Sequence, residues 1–593
     1  MSPLSIDYRV AFPDPGAHLY QITLTVTDLP AGRHRLRLPV WTPGSYRIGD
    51  FSRNVFDVRL TFNRTEWPLM QSSKNQWDFE TPLQGSLVVD YQVYAYELGV
   101  RTSHLDLTHA YWNGAQLFFL VDDLKAVPHI IDIAVPPSWR VSTGLDPVPG
   151  HPHRYRAADY DVLIDSPVEV GTQRELAFDV DGIPHTVAIW GSGNEDPKRL
   201  VADLQKIVHG ERELFGELPY LRYVFIFHLT DRRLGGLEHL NSTTCGMERF
   251  SFRPGSKSYR RVLGLIAHEV FHLWNVKRIH PEALGPFDYD REVYTRLLWA
   301  MEGLTEYYAG LLLLRAGLYQ FDEYLERLAT AIQTYEQQPG RFVQSLSQAS
   351  LEAWTKFYHP GPETPNLQIS YYLKGELVGL CLDLEIRRRS EGKASLDDVL
   401  RRLYDRYGRK RVGFPEAAYQ EMVEEVSQSS FDDFFRRYVD SVDPLPLDDL
   451  LSWAGLTVQR QWKPTGSESE PVDRSPTVPR AWLGVKLRWA HRAYVEVETS
   501  YRNGPAASRL APGDRIVALN GFWVEKPEDV ERRIEEDHVP GDVVTLHWFR
   551  RGRLETQATT LGQAPPNDVK VAVSDPMSDD QALRLRQWLT YTG

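Results

Sequence analysis

The feature that most constrains this chain is a change of hydrophobic period partway along it. From the start to about residue 172, apolar residues alternate in short runs, among them His18 to Val26 (HLYQITLTV) and Ser86 to Tyr96 (SLVVDYQVYAY), separated by turns rich in proline and glycine. Alternation places every second side chain on one face of a strand, so residues 1–172 are expected to form a β-sandwich-like domain. Its aromatics Trp41, Tyr46, Tyr91, Tyr94 and Tyr96 are expected to fill that core. Past about residue 195 the spacing becomes helical. Helical patterns dominate from Ser258 to about Val442, after one strand-like run, Tyr223 to His228 (YVFIFH). A mainly helical domain with a small sheet is expected over residues 173–462.

A chain of 593 residues is too long for one hydrophobic core, so several domains are expected. Lys463 to Pro479 (KPTGSESEPVDRSPTVP) is rich in proline, serine and charge and reads as a linker, assigned to residues 463–480. From Ala481 to about residue 565 β patterning returns around one helical segment, Pro527 to Glu536, as in a separate small domain. The tail, 566–593, ends in an amphipathic stretch (DDQALRLRQWL) that reads as a docking helix. The fold class expected is multidomain α+β.

The 80 acidic and 67 basic residues leave a net charge of −13, which speaks against a nucleic-acid partner. With only two cysteines, Cys245 and Cys381, there is neither a disulfide framework nor an all-cysteine metal site, so any metal falls to His, Asp or Glu. No basic-then-apolar leader opens the chain and no apolar run approaches the length of a membrane span. A cytoplasmic protein without a membrane partner is therefore expected.

The run His268-Glu269-Val270-Phe271-His272 lies in LGLIAHEVFHLW, whose apolar spacing fits a buried helix. Residues four apart share a helix face. Both imidazoles can then address one ion while Glu269 reaches a water at that ion. A catalytic zinc takes three protein ligands and leaves one position open, so a third ligand is required. The next helical pattern offers Glu292, Glu302 and Glu306. Glu302 is the one set deepest among apolar residues, where a carboxylate is costly unless paired or metal-bound. Glu306, one turn on, fits equally as the ligand or as the partner that orients a ligand histidine. Spacing does not separate the two.

HEVFHLWNVKRIHP, WAMEGLTEYY and SYYLKGELVGL together resemble the glycyl aminopeptidase family of zinc metallopeptidases (metallopeptidase family sixty-one, gluzincin clan). WTPGSYRIGDFSRNV, from Trp41 to Val55, is similar to that family's N-terminal domain. The resemblance implies a β domain, a thermolysin-like catalytic domain and a PDZ domain, with one zinc ion per chain. Within the clan the third ligand is the Glu of an E-G segment, which here is Glu302 of Glu302-Gly303, leaving Glu306 an outer role. The clan's Y-x-K-G segment matches Tyr372-Leu373-Lys374-Gly375 and implies that Tyr372 stabilises the oxyanion. Its G-x-M-E-N segment, on an edge strand, is matched imperfectly by Gly235-Gly236-Leu237-Glu238-His239. By that likeness Glu238 binds the substrate's free amino group, with Gly235 and Gly236 beside it. Asn275 matches a residue of the outer layer around the metal.

Ala481-Trp482-Leu483-Gly484-Val485 looks like the carboxylate-binding loop of a PDZ domain, with Trp482, Leu483, Gly484 and Val485 touching a C-terminal peptide ligand. The function implied is a zinc aminopeptidase acting on peptides with a free N-terminus, glycine or alanine being the residues the family name suggests. Two rivals remain open on the sequence. One is a zinc endopeptidase that tethers substrates through its PDZ domain, and the other is a PDZ adaptor with a vestigial peptidase fold.

Overall fold

The computed structural model describes residues 4–463 and 478–590. Most of the expected linker, residues 464–477, lies outside the described residues. The chain divides into two compact units, one made of residues 1–295, 308–319 and 397–422, the other of residues 296–307, 320–396 and 423–593.

The first unit opens with β structure. An eight-stranded sheet is built around Leu19–Leu29, which pairs antiparallel with Ser5–Ala11 on one side and Gly85–Tyr94 on the other, and two four-stranded sheets accompany it. Strict alternation in Leu19–Leu29 sends Tyr20, Ile22, Leu24 and Val26 into the core. The same rule corrects the expectation for two tyrosines. Tyr91, Val93 and Ala95 point inward, so Tyr94 and Tyr96 fall on the opposite face and are 41% and 56% exposed, whereas Trp41, Tyr46 and Tyr91 are buried as expected.

The YVFIFH run is the centre of a five-stranded sheet ordered Arg174–Val180, Ile183–Trp190, Tyr223–Thr230, Ser242–Glu248 and Gly235–Glu238. Tyr223–Thr230 runs parallel to both neighbours and is buried throughout, as a continuous apolar run requires. The helix Pro197–Phe215 provides the crossover from Ile183–Trp190 to Tyr223–Thr230. Gly235–Glu238 is the terminal strand of this sheet.

The second unit holds the helices Phe321–Glu336, Tyr371–Arg389 and Leu447–Trp453, and then a β-rich C-terminal part with its own core, including Val495, Ile516, Leu546 and Trp548. Its strands Val485–Ala490, Tyr494–Ser500, Arg515–Leu519, Val543–Arg550 and Arg553–Thr560 form one sheet beside the helix Pro527–Asp537. The segments flanking this part pair with each other, Leu456–Gln461 against Asp568–Val573. The chain then forms the helix Asp579–Leu589, whose Trp588 is fully buried. Among the described residues no helix is long and apolar enough to cross a membrane. The architecture is multidomain α+β: a β-rich N-terminal part, a helical middle and a β-rich C-terminal part.

Candidate metal centre

The helix Lys257–Phe271 starts where the Ser256 hydroxyl accepts the amide N–H of Tyr259 at 3.1 Å, and His272 caps its other end. Its apolar face (Val262, Leu263, Ile266, Val270) buries the last turns, which brings His268, Glu269 and His272 inside with it. The imidazole Nε2 atoms of His268 and His272 lie 3.0 Å apart. Two nitrogens each about 2.0–2.1 Å from a tetrahedral zinc lie about 3.3 Å apart, so the pair fits one ion. His272 Nδ1 lies 2.7 Å from the carbonyl oxygen of Asn275, a contact that only an N–H makes well, which leaves the Nε2 lone pair for a metal. Asn275 thus reaches His272 through its backbone. The turn that aims this carbonyl takes Val276 to φ 138°, a conformation that β-branched residues rarely adopt.

Glu238, Glu269 and His272 offer ligand-type atoms within 4.8 Å of one another, all buried. Gly236 is the reason the terminal strand comes this close. A Cβ there would lie 2.6 Å from Cγ of Glu269 and collide with its carboxylate. Gly235 takes φ 91°, open to glycine and strained for other residues. On the far side Gly44, within the WTPGSYR segment, stands against Glu238, since a Cβ at Gly44 would fall 2.6 Å from Oε1 and 2.8 Å from Oε2. The N-terminal segment is held there by Trp41, whose Nε1 donates to the carbonyl of Asp288 at 2.9 Å, and by Thr42, whose hydroxyl donates to Asn113 at 2.8 Å.

Glu211, on the helix Pro197–Phe215, was not singled out by the sequence. It is fully buried; burial raises its carboxyl well above the usual range, and His268 offsets only a part of that rise.

The second unit carries the other two motifs. Glu302 lies on a π-helical turn, Trp299–Gly303, and is 2% exposed. Gly303 packs on Gly375 of the helix Tyr371–Arg389, which sets Glu302 near Tyr372. Burial raises the Tyr372 phenol well above its ordinary value, and the neighbouring Glu302 carboxylate adds to the effect. The Tyr372 ring stacks on Phe357 at 5.6 Å and its hydroxyl lies 3.5 Å from that of Tyr358. Glu306 is half-buried and accepts from Arg327 at 3.0 Å.

Residues 7–172 match the Peptidase M61 N-terminal domain and residues 261–378 match M61 glycyl aminopeptidase. A crystal structure of an aminopeptidase N family protein from Idiomarina loihiensis is 32% identical, covers 99% of this chain and 100% of its own, and superposes with a TM-score of 0.90. The chain belongs to the M61 glycyl aminopeptidase family. An M1 zinc metallopeptidase from Deinococcus radiodurans is also similar, at 16% identity over 75% of this chain and 96% of its own, with a TM-score of 0.47. Among curated proteins none matches.

Family membership makes the M61 chain a metallopeptidase. In its C-terminal part, Trp482, Leu483 and Val485 line a groove of about 510 Å³ with Val530 and Ile534 of the helix Pro527–Asp537, and Arg341 and Phe342 close one side. Gly484 is not among the lining residues. It packs on Gly504, whose Cα would stand 2.4 Å or so from any added Cβ, so its part is to let two loops touch.

Proposed function

We propose that this M61 chain is a zinc-dependent aminopeptidase that removes N-terminal residues, glycine or alanine by preference, from peptides with a free N-terminus. His268, His272 and Glu302 are assigned as the ligands of one zinc per chain. The observation that carries the reading is the facing Nε2 pair of His268 and His272 with two buried acids, Glu269 and Glu238, on one side of it. The chemistry that a bound zinc contributes is Lewis acidity, which polarises the scissile carbonyl and makes a water more acidic. Glu269 takes the proton of the attacking water and delivers it to the leaving amine. The Tyr372 hydroxyl donates to the developing oxyanion, and being fully protonated at neutral pH it is always a donor. Glu238 pairs with the substrate ammonium, which sets the first peptide bond over Glu269.

The proposed organisation is an N-terminal β domain (1–172), a thermolysin-like catalytic domain (173–462), a linker (463–480), a PDZ domain (481–565) and a tail (566–593). Support for the PDZ assignment comes from the groove between Val485–Ala490 and Pro527–Asp537, which offers an apolar slot to a C-terminal peptide.

The test is hydrolysis of glycyl and alanyl arylamides against N-blocked peptides, with zinc content measured in parallel and Glu269→Gln as control. Cleavage of free-amine substrates alone, lost in Glu269→Gln while zinc stays bound, supports the proposal. Cleavage of blocked peptides would make the protein an endopeptidase, and inactive zinc-free protein would favour the adaptor.

A further inference from the structure

A second polar pocket, of about 610 Å³, opens beside the terminal strand of the five-stranded sheet. It is basic. Arg47, Arg53, Arg101 and Arg232 line it, and among its described lining residues the one carboxylate is Glu97, 3.7 Å from Arg53. The exposed rings of Tyr94 and Tyr96 form part of its wall.

Two boundaries tie the pocket to the candidate centre. Thr42 and Ser45 line it, and they flank Gly44, which stands against the Glu238 carboxylate. Leu234 also lines it and immediately precedes Gly235 of the terminal strand, its amide N–H donating to Gly246 at 2.9 Å so that the strand register continues. The wall between is held in place: the Tyr111 hydroxyl donates to the Val100 carbonyl at 3.1 Å and Gln116 Nε2 donates to that of Arg101 at 3.1 Å.

The direction of a bound peptide follows from the strand, on the aminopeptidase reading above. If the ammonium sits at Glu238 and the scissile bond at Glu269, the latter lies level with Gly236, two residues back along the strand. An extended peptide added to this strand therefore runs from Glu238 past Gly236 and Gly235 towards Leu234. The scissile bond joins the first and second residues, so the third Cα lies about 5 Å beyond it along the strand; with that bond level with Gly236, the third residue falls between Gly235 and Leu234, beside the pocket. We propose that this arginine-lined pocket binds a carboxylate at the third position of the substrate, so the enzyme selects peptides that are acidic downstream of the cleaved bond. Two groups supply that chemistry, an Asp or Glu side chain at the third residue or the C-terminal carboxylate of a tripeptide.

The test uses the full-length zinc-loaded protein and compares kcat/KM for the tetrapeptide amides Gly-Ala-Asp-Ala, Gly-Ala-Lys-Ala and Gly-Ala-Ala-Ala, and for Gly-Ala-Ala as free acid and as amide. Glycyl 4-nitroanilide, which has nothing to place in the pocket, is the reference. Exposed ion pairs are individually weak, so the aspartyl peptide should be preferred over the lysyl one by about three- to tenfold, mostly through KM, and less at high salt. The free-acid arm shows whether a chain terminus serves as well as a side chain. Arg232→Glu, together with Arg47→Ala, changes exposed loop residues and should abolish or reverse the preference while glycyl 4-nitroanilide turnover holds. Hydrolysis of the anilide with equal use of all peptides, or a preference that survives both substitutions, overturns the pocket alone. Absence of anilide hydrolysis overturns the aminopeptidase reading and the pocket with it.

Discussion

A Cβ placed on Gly303 would lie 2.5 Å from the Cα of Gly375, and one on Gly375 would lie 2.9 Å from the Cα of Gly303. The two glycines belong to the Glu302-Gly303 and Lys374-Gly375 segments, so each motif carries the space that the other needs. Their contact brings the π-helical turn bearing Glu302 onto the helix bearing Tyr372. The atoms a new methyl would meet are backbone atoms, which cannot rotate away. Gly303→Ala and Gly375→Ala should each cost about 1–3 kcal/mol through overpacking. They should also lose far more kcat than the melting temperature explains, because Glu302 and Tyr372 shift with their helices. Thermal melts and kcat measured well below the transition check both parts; an alanine variant with full kcat would remove the contact's functional role.

Glu238 should decide whether the enzyme is an exopeptidase. It is 4% exposed, with Gly44 pressed against its carboxylate, so a charge partner there is worth more than one at the surface. Glu238→Gln keeps the shape and removes the charge. Turnover of a free-amine dipeptide should fall by roughly ten- to hundredfold in kcat/KM, with the melting temperature unchanged. A matching fall in the melting temperature would point to a collapsed strand in place of a lost ammonium site.

What could be read from the sequence followed from how local the signals were. The His268, Glu269 and His272 arrangement depends on one helical turn, and spacing alone described it. The strand Tyr223–Thr230 was equally visible because burial on both faces leaves an unbroken apolar run, whereas Arg174–Val180 and Gly235–Glu238 mix polar and glycine positions and carry no such mark. Asn275 was marked only by its match to an outer-layer residue, and it is its backbone carbonyl that meets His272, a matter of backbone direction that residue identity does not encode. Long-range assemblies stayed hidden altogether. His109, Glu169 and His228 come from three separate strands. Burial pushes the Glu169 carboxyl up, and the two imidazoles at 2.8 and 2.9 Å outweigh it, holding its pKa at about 2. Tyr94 and Tyr96 are aromatic yet exposed, because strand parity and not aromatic character decides which face a side chain takes.

The stability of the β-rich N-terminal part should fall in mild acid. His129 is fully buried between the rings of Tyr8 and Tyr160, and burial lowers its pKa to about 4. The unfolded chain therefore binds the proton first. Stability is full above pH about 6.5, declines as pH falls to about 4 and changes no further below that, by on the order of 3 kcal/mol for one such group. His104 is lowered to about 4 as well and steepens the same limb. Urea melts at pH 7 and pH 4.5 should show the loss, and His129→Leu should shrink it by about one group's share. An unchanged pH dependence in that variant would show that His129 is not the group responsible.

The C-terminal helix should be part of the catalytic unit's stability. Trp588, fully buried, donates its Nε1–H to the Tyr307 hydroxyl at 2.8 Å, and that hydroxyl donates onward to Asp383 at 2.8 Å. Arg387 holds the same helix by donating to the carbonyl of Gln587 at 3.0 Å, and its Nε bonds Asp383 at 3.0 Å. Tyr307 lies five residues beyond Glu302 in the chain, so loosening this anchor loosens the segment that carries the candidate ligand. Trp588→Ala removes the ring and the donor together and should cost about 3–5 kcal/mol. Trp588→Phe keeps most of the ring burial and leaves the Tyr307 to Asp383 bond in place, so it should cost about 1 kcal/mol for the lost hydrogen bond and a little more for the smaller ring. Denaturant melts measure both. If the two variants fell together, the hydrogen-bond chain would be setting the stability, and if neither moved the midpoint, the helix would be no more than an appendage.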